Sequence, residues 1–174
     1  MTLPQHMGMS AQWATPRDIV DAARDVFHGQ IDCDPSTTAA INADTVRATT
    51  YWTAQESGLD PVNSWHGDVM INPPGGRGGL VKEFWSRMID EYLCDRINSA
   101  IWIGFSIDQL QVLQCCETSP INYPICIPRR RLNYLRPVDM TPGKSPPHAS
   151  YITYIGPLSS RFISVFSKIG ATKI

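Results

Sequence analysis

The chain has 174 residues, of which 43% are hydrophobic and 18% charged, and its formal net charge at neutral pH is −1. This length and composition predict one soluble globular domain over residues 1–174, with residues 1–11 flexible. The balanced charge does not indicate a general affinity for nucleic acids. No apolar run reaches the roughly 20 residues that a membrane span requires.

Cysteine and histidine usage indicates neither disulfides nor a metal site. The number of cysteines is odd, and none forms a C-x-x-C pair. The four histidines lack H-x-x-x-H or H-E-x-x-H spacing, and the N-terminus lacks the features of a signal peptide. These features predict reduced thiols and a cytoplasmic location. The cysteines are Cys33, Cys94, Cys115, Cys116 and Cys126.

In chain order, the first predicted element is a helix within "TPRDIVDAARDVFH". Thr15 is its candidate N-cap, Pro16 occupies the first helical position and Asp18 the capping-box position. The next element is a short strand, "GQIDCDP", ended by its proline. Residues 36–64 are polar with weak periodicity and predict no element, and a second strand, "GDVMIN", then runs up to Pro73.

The second half of the chain begins with a helix, because "GLVKEFWSRMIDEYL" carries a wide apolar stripe at helical spacing. "SAIWIGF" is typical of a strand covered on both faces, and "SIDQLQVLQ" predicts a short helix with Ser106 as its cap. The segments "YPICIP", "RRLNYL", "ASYITYIG" and "RFISVF" favour strands. This order predicts an α/β fold whose sheet is mainly parallel, with antiparallel strands at the C-terminal end.

The second predicted strand ends in Asn72-Pro73-Pro74. The prolines hold this corner in extended geometry and offer no N–H, so the Asn72 side-chain oxygen and the Pro73 carbonyl remain free acceptors. Two fixed acceptors match the two hydrogens of an exocyclic amine, and holding both favours an available nitrogen lone pair. The same residues are also typical of a turn that ends a strand.

The first predicted strand ends in Asp34-Pro35. A carboxylate there can accept hydrogen bonds from ribose hydroxyls or an ammonium group, or it can cap the turn that follows. Asp32 is an alternative ligand-facing residue. Because ligands of open α/β sheets bind at the carboxyl ends of strands, the Asp34 and Asn72 corners are expected on one rim.

Two further segments carry candidate phosphate contacts. The "GGRGG" segment, residues 75–79, can cradle a phosphate beside Arg77 or form a flexible loop, and it fits neither a P-loop nor G-x-G-x-x-G. The basic run "PRRRLNYLR" can contact DNA or form a solvated face. Its cations are Arg129, Arg130, Arg131 and Arg136.

An ordered set of segments resembles the phage-type DNA N-6-adenine methyltransferase family over roughly residues 12–156. The segments are "WATPRDIVDAARDVF", "IDCDPST", "YWTAQESGL", "SWHGDVMINPPGG", "AIWIGFS", "CIPRRRLNYL" and "PPHASYITYIG". The resemblance implies a Rossmann-like class I fold, S-adenosylmethionine as cofactor, and methyl transfer to adenine N6. It also implies double-stranded DNA as partner, in a bacterial host cell infected by a bacteriophage.

The resemblance also implies roles for individual residues. The catalytic motif corresponds to Asn72, Pro73, Pro74 and Gly75. The expected cofactor contacts are Trp13, Thr15, Pro16, Asp32, Asp34, Pro35 and Asn72. Asp32 is included because it lies close to the end of the first predicted strand. The expected DNA contacts are Arg77, Arg129, Arg130, Arg131 and Arg136.

The sequence departs from the family pattern at two places. Gly75 stands where the catalytic motif usually has an aromatic residue, for which Tyr51, Trp52 or Tyr134 could substitute. The cofactor motif lacks its usual glycines, and the short segment between the two corners implies a reduced complement of helices and strands. Three alternatives therefore stay open: an impaired methyltransferase-like binding module for DNA or protein, methylation of cytosine N4, and methylation of a free nucleotide. Oligomerisation is also left open.

Overall fold

The structure, a computed structural model, describes residues 12–75, 79–116, 118–144 and 146–174. The predicted flexible segment, residues 1–11, and Arg77 lie outside the described residues. The strands are β1 (Cys33–Asp34), β2 (Thr50–Tyr51), β3 (Asp68–Ile71), β4 (Ser99–Gly104), β5 (Ile125–Pro128), β6 (Tyr151–Ile155) and β7 (Gly170–Lys173). The α-helices are α1 (Arg17–Val26), α2 (Ala39–Ile41), α3 (Gly79–Leu93), α4 (Asp108–Leu113) and α5 (Ser159–Phe166).

All seven described strands form one sheet in the order β2-β1-β3-β4-β6-β5-β7. The pairings among β2, β1, β3 and β4 are parallel, and those among β4, β6, β5 and β7 are antiparallel. The prediction of an α/β fold with parallel strands followed by antiparallel ones is confirmed. The sheet is mixed rather than mainly parallel, because the chain after β4 adds three antiparallel pairings to the edge.

Helices pack on both faces of the sheet. Alternate residues of each strand point to opposite faces, so that Ile101 and Ile103 of β4 join one hydrophobic cluster and Trp102 joins the other. Side chains of α1 and α5 complete the first cluster, and side chains of α3 complete the second. This arrangement explains why β4 is buried along its whole length.

Helix α3 has the bounds that the apolar stripe predicts, whereas α1 begins differently from the prediction. Its N-cap is Pro16, whose carbonyl accepts from the amides of Ile19 and Val20. The Thr15 hydroxyl, predicted to cap this helix, makes no hydrogen bond with any described residue. The extended geometry of Pro16 places Thr15 one residue too early to reach the first helical amides.

Two of the predicted C-terminal strands are wrong. "RFISVF" lies within helix α5, because Phe162 and Phe166 are four residues apart and stack at 4.6 Å inside the first cluster. Helical spacing of the large apolar residues thus outweighs the local β-propensity. "RRLNYL" forms only isolated bridges, from Leu135 to Ala14 and Pro142.

Residues 36–64, where no element was predicted, are held in place by Arg87 of α3. Its guanidinium donates to the carbonyls of Gly58, Asp60 and Asn63 at 2.8–2.9 Å and lies 4.9 Å from the centre of the Trp65 ring. The segment contains α2, a π-helical turn (Asn42–Val46) and strand β2. Long-range contacts therefore define it, rather than local periodicity.

The strand order reverses beside β1. After β1 the chain adds β2 on one side, and it then returns to add β3 on the other side of β1. Connections therefore leave the carboxyl ends of β1 and β3 in opposite directions, which opens a crevice between them. Such a topological switch point is the usual ligand site of open α/β sheets.

Candidate functional site

Three neighbouring strands direct polar or aromatic residues toward the same crevice. Asp34 ends β1, Asn72 follows β3, and Phe105 follows β4. These residues line one cavity of about 270 Å³. The predicted site residues that also line it are Trp13, Thr15, Pro73 and Gly75. The structure thus brings together the N-terminal segment and both strand-end motifs.

The Asn72 side chain is oriented by one hydrogen bond. Its Nδ2 donates to the backbone carbonyl of Trp13 at 2.8 Å. Since a carbonyl can only accept, this contact requires the amide nitrogen on that side and turns Oδ1 the other way. Among the described residues, none donates to Oδ1. Pro73, which has no N–H, is buried beside it.

Asp34 is a buried carboxyl in the cavity wall, only 2% exposed. Burial disfavours its charged form and raises its pKa to about 7, although the Ser36 amide donates to Oδ1 at 3.0 Å and the nearby Thr37 hydroxyl also favours the carboxylate. A ligand that donates hydrogen bonds to Asp34, or that carries positive charge, would therefore stabilise its carboxylate form.

Two threonines that line the cavity have buried hydroxyls with no hydrogen-bond partner among the described residues. They are Thr15 Oγ1 and Thr37 Oγ1, and each threonine is at most 2% exposed. Thr37 lies beside the Asp34 carboxyl, without hydrogen-bond geometry to it. Buried hydroxyls without partners are costly, so a ligand that bonds to them would recover that free energy.

The remaining predicted cofactor residues do not line the cavity. Asp32 accepts hydrogen bonds from the Asp68 amide at 2.8 Å and from the Gln30 side chain at 2.7 Å, which ties β1 to the start of β3. Pro16 is the N-cap of α1. The Pro35 carbonyl is packed so closely against Gly58 that a Cβ there would lie 1.8 Å from its oxygen. The structure gives each of these three a packing or hydrogen-bonding role.

Pro74 is also outside the cavity lining, and the predicted aromatic substitutes divide between two places. Tyr51 and Trp52 line a separate open groove along β2. The Tyr134 ring packs on Phe105, with 5.1 Å between ring centres. Phe105 itself was not predicted as a site residue, although it lies at the end of the third predicted strand and the carboxyl-end rule would have selected it.

The predicted basic strip is partly engaged in intramolecular contacts. Arg129 donates to the carbonyls of Ser167 and Lys168 at the end of α5, and Arg131 donates to the Pro146 carbonyl. Arg136 pairs with Asp139 at 3.0 Å. Arg130 is exposed and makes no hydrogen bond with a described residue. Arg129, Arg130 and Arg131 line one open groove.

The described residues contain no cluster of three or more metal-ligating side chains, and none of their helices is long and apolar enough to cross a membrane. No family model, curated protein or solved structure compared with the chain gave a match.

Proposed function

We propose that this chain is a Rossmann-like class I methyltransferase that transfers a methyl group from S-adenosylmethionine to adenine N6 in double-stranded DNA. The observation that carries the proposal is the oriented Asn72 amide, whose Oδ1 is left unbonded by the described residues in a cavity that also holds a buried carboxyl. The site lies at the switch point of the sheet, where such folds bind nucleotides.

The residues of the cavity fit the proposed cofactor. Its hydroxyls and ammonium group would pair with Asp34 and with the hydroxyls of Thr15 and Thr37, which bond to no described residue. Its apolar surface would lie against Ile41 and Val46, which line the same cavity. When bound, S-adenosylmethionine supplies a methyl group activated by a positively charged sulfur.

Asn72 and Pro73 orient the acceptor amine. The Asn72 Oδ1 and the Pro73 carbonyl are suited to accept one amine hydrogen each, which favours a more tetrahedral nitrogen with its lone pair exposed. The hydrogen bond from Asn72 to the Trp13 carbonyl fixes the amide before the substrate arrives. Positioning of this kind lowers the barrier without a base of shifted pKa.

DNA contact is assigned to the groove that carries Arg129, Arg130 and Arg131, with Arg136 nearby in sequence. Phosphate neutralisation by such cations makes binding weaken steeply as salt rises. Arg130 is the member of this set best suited to a phosphate, because it is exposed and makes no hydrogen bond with a described residue.

The test is methyl transfer to unmethylated genomic DNA, with S-adenosylmethionine labelled in its methyl group and products identified by mass spectrometry of the digested DNA. N6-methyladenine is expected with the unchanged chain and not with Asn72→Ala. Asn98→Ala is the matched control, because this exposed asparagine lies next to the amino end of β4, away from the cavity rim. Absence of N6-methyladenine with folded, cofactor-bound protein would overturn the proposal.

Two alternatives give different outcomes in the same experiment. If the label appears in N4-methylcytosine or in a free nucleotide, the acceptor of the methyl group is that amine and not adenine N6 in DNA. No transfer combined with no calorimetric binding of S-adenosylmethionine would identify a non-catalytic binding module. Gly75, which lines the cavity in place of an aromatic ring, is the observation that favours this last alternative.

A further inference from the structure

A second cavity adjoins the first. It has a volume of about 180 Å³ and shares Trp13 and Phe105 with the first cavity. Tyr134 completes a set of three aromatic residues in its lining. Its volume is about two thirds of that of the first cavity, to which the larger cofactor is assigned. A single flat ring system therefore suits it better than a larger ligand.

The aromatic walls of this second cavity are fixed before any ligand binds. The Tyr134 hydroxyl is hydrogen-bonded to Ser150 Oγ at 3.0 Å, and Ser150 Oγ lies 3.2 Å from the Phe105 carbonyl. Phe105 also packs on His148, with 5.4 Å between ring centres. These contacts connect the Phe105 backbone to the Tyr134 ring, so the two rings need little reordering on binding.

Trp13 is also held in place before any ligand binds. Gly143 approaches its indole so closely that a Cβ at position 143 would lie 2.7 Å from the ring. The Trp13 carbonyl accepts the hydrogen bond from Asn72. The same residue therefore contacts the proposed amine-holding side chain and forms part of both cavities.

We propose that this second cavity receives the flipped-out target base, and that stacking on Phe105 replaces the aromatic residue absent at Gly75. The inference rests on the proposed function, since it names where that reaction's substrate is held. A base extruded from a duplex needs an aromatic or apolar surface to replace its lost stacking. Phe105 is half-buried, whereas Tyr134 is only 5% exposed, so Phe105 offers the more accessible ring.

Lys144 adds a charge to the same cavity. It is exposed and lines the second cavity, and it does not line the first. A cation in this position suits the phosphate attached to a base that has entered the cavity. The second cavity thus combines a stacking surface for the base with a positive charge for its backbone.

The test is nuclear magnetic resonance on uniformly ¹⁵N-labelled protein. The first cavity is saturated with S-adenosylhomocysteine, and deoxyadenosine is then titrated. Amide shifts are expected at Phe105, Tyr134 and Gly143 and not at Ser36 or Thr37. Shifts confined to the first cavity, or no shifts at all, would overturn the inference.

Substitutions at Phe105 test the stacking itself. Phe105→Leu is expected to weaken deoxyadenosine binding at least about fivefold, the lower limit for stacking of one base on an aromatic side chain. Phe105→Tyr retains a ring and should bind within about twofold of the unchanged protein. Equal binding by the leucine and tyrosine variants would refute a stacking role for Phe105.

Because Lys144 is exposed, its substitution should change stability little and tests the phosphate contact. Lys144→Glu should weaken binding of deoxyadenosine 5′-monophosphate and leave deoxyadenosine binding unchanged. Equal monophosphate binding by the variant and the unchanged protein would contradict the assignment of this cavity to the nucleotide.

Failure of the proposed function gives a different result from failure of this inference. It would show as no methyl transfer although deoxyadenosine shifts the amides of the second cavity. Transfer without such shifts would refute this inference alone.

Discussion

The Asn72 side chain and the Trp13 backbone, 59 residues apart in the chain, are joined by a hydrogen bond of 2.8 Å. A pair of backbone hydrogen bonds between Ala14 and Leu135, at 2.8 and 3.0 Å, holds the same N-terminal segment from another direction. The segment before α1 is therefore fixed at two points as a wall of the cavity. Its position depends on the amide group of residue 72 and not only on packing.

Replacement of Asn72 by aspartate should cost more stability than replacement by alanine. Asn72→Ala loses one hydrogen bond, for which about 1 kcal/mol is expected. Asn72→Asp instead places an ionised oxygen against the Trp13 carbonyl and should cost about 1–3 kcal/mol at pH 8. Urea unfolding measures the loss of stability in each variant. The difference between the two variants should become smaller at pH 4, where a protonated carboxyl at position 72 can donate to the Trp13 carbonyl. Wild-type stability of Asn72→Asp at pH 8 would contradict this account of the contact.

Asp34→Asn should stabilise the protein above neutral pH and weaken cofactor binding. Burial raises the pKa of Asp34 to about 7 from 3.8, so ionisation of the folded protein above pH 7 carries a penalty of up to roughly 4 kcal/mol. Asparagine keeps the acceptor for the Ser36 amide and removes the charge. We expect a gain of a few kcal/mol at pH 8.5, measured by urea unfolding, and reduced S-adenosylmethionine affinity by calorimetry.

The pH dependence of this effect has a defined sign. Between pH 4 and 7 the folded state binds more protons at Asp34 than the unfolded state, because its folded pKa is the higher one. The stability associated with Asp34 is therefore complete below pH 4 and is lost as the pH rises through 7. The difference between Asp34→Asn and the unchanged protein should vanish near pH 4. A difference of constant size from pH 4 to 8.5 would show that burial of the Asp34 charge is not its cause.

Much of the cavity could be predicted from sequence because its residues follow strands whose periodicity is clear. Asp34 and Asn72 each precede a proline at a strand end, and the carboxyl-end rule places both on one rim. Helix α3 was also predictable, since its apolar stripe is continuous over fifteen residues. In these places local pattern and tertiary contacts agree.

Other parts could not be predicted because distant contacts determine them. Thr15 has the sequence position of an N-cap, but Pro16 takes that position, and Thr15 instead lines the cavity. Asp32 is the same residue type as Asp34 and lies two residues before it, yet its side chain accepts a hydrogen bond from the Asp68 amide 36 residues away. Helix α5 has a β-favouring sequence, and burial of Phe162 and Phe166 against α1 decides its conformation.

Two adjacent arginines should respond differently to substitution. Arg130→Ala is expected to weaken DNA binding and to lower the slope of log affinity against log salt by about one, with stability unchanged. Arg129→Ala should lose about 1 kcal/mol of stability, because Arg129 donates to the carbonyls of Ser167 and Lys168. Fluorescence anisotropy with a DNA duplex at several salt concentrations, and urea unfolding, measure the two effects.

The control for the arginine pair is Lys173→Ala, since Lys173 is an exposed cation at the end of β7 that does not line the groove of Arg129, Arg130 and Arg131. An equal loss of DNA affinity in all three variants would indicate a nonspecific charge effect. An unchanged salt slope in Arg130→Ala would remove Arg130 from the phosphate contacts.

Arg87 should be among the most sensitive positions for stability. Its side chain is 15% exposed, satisfies three carbonyls of residues 58–63, and pairs with Glu91, whose side chain is 8% exposed. Arg87→Met keeps the aliphatic stem but removes a donor from three carbonyls, of which that of Gly58 still accepts from Trp65 Nε1, and leaves the buried Glu91 paired with Arg96 alone. We therefore expect a loss of about 1–3 kcal/mol in urea unfolding. Arg96→Met is the matched control, because Arg96 pairs with the same carboxylate from a half-exposed position and its loss should cost less stability. Equal losses in the two variants would show that Glu91 alone, and not the bound carbonyls, accounts for the effect.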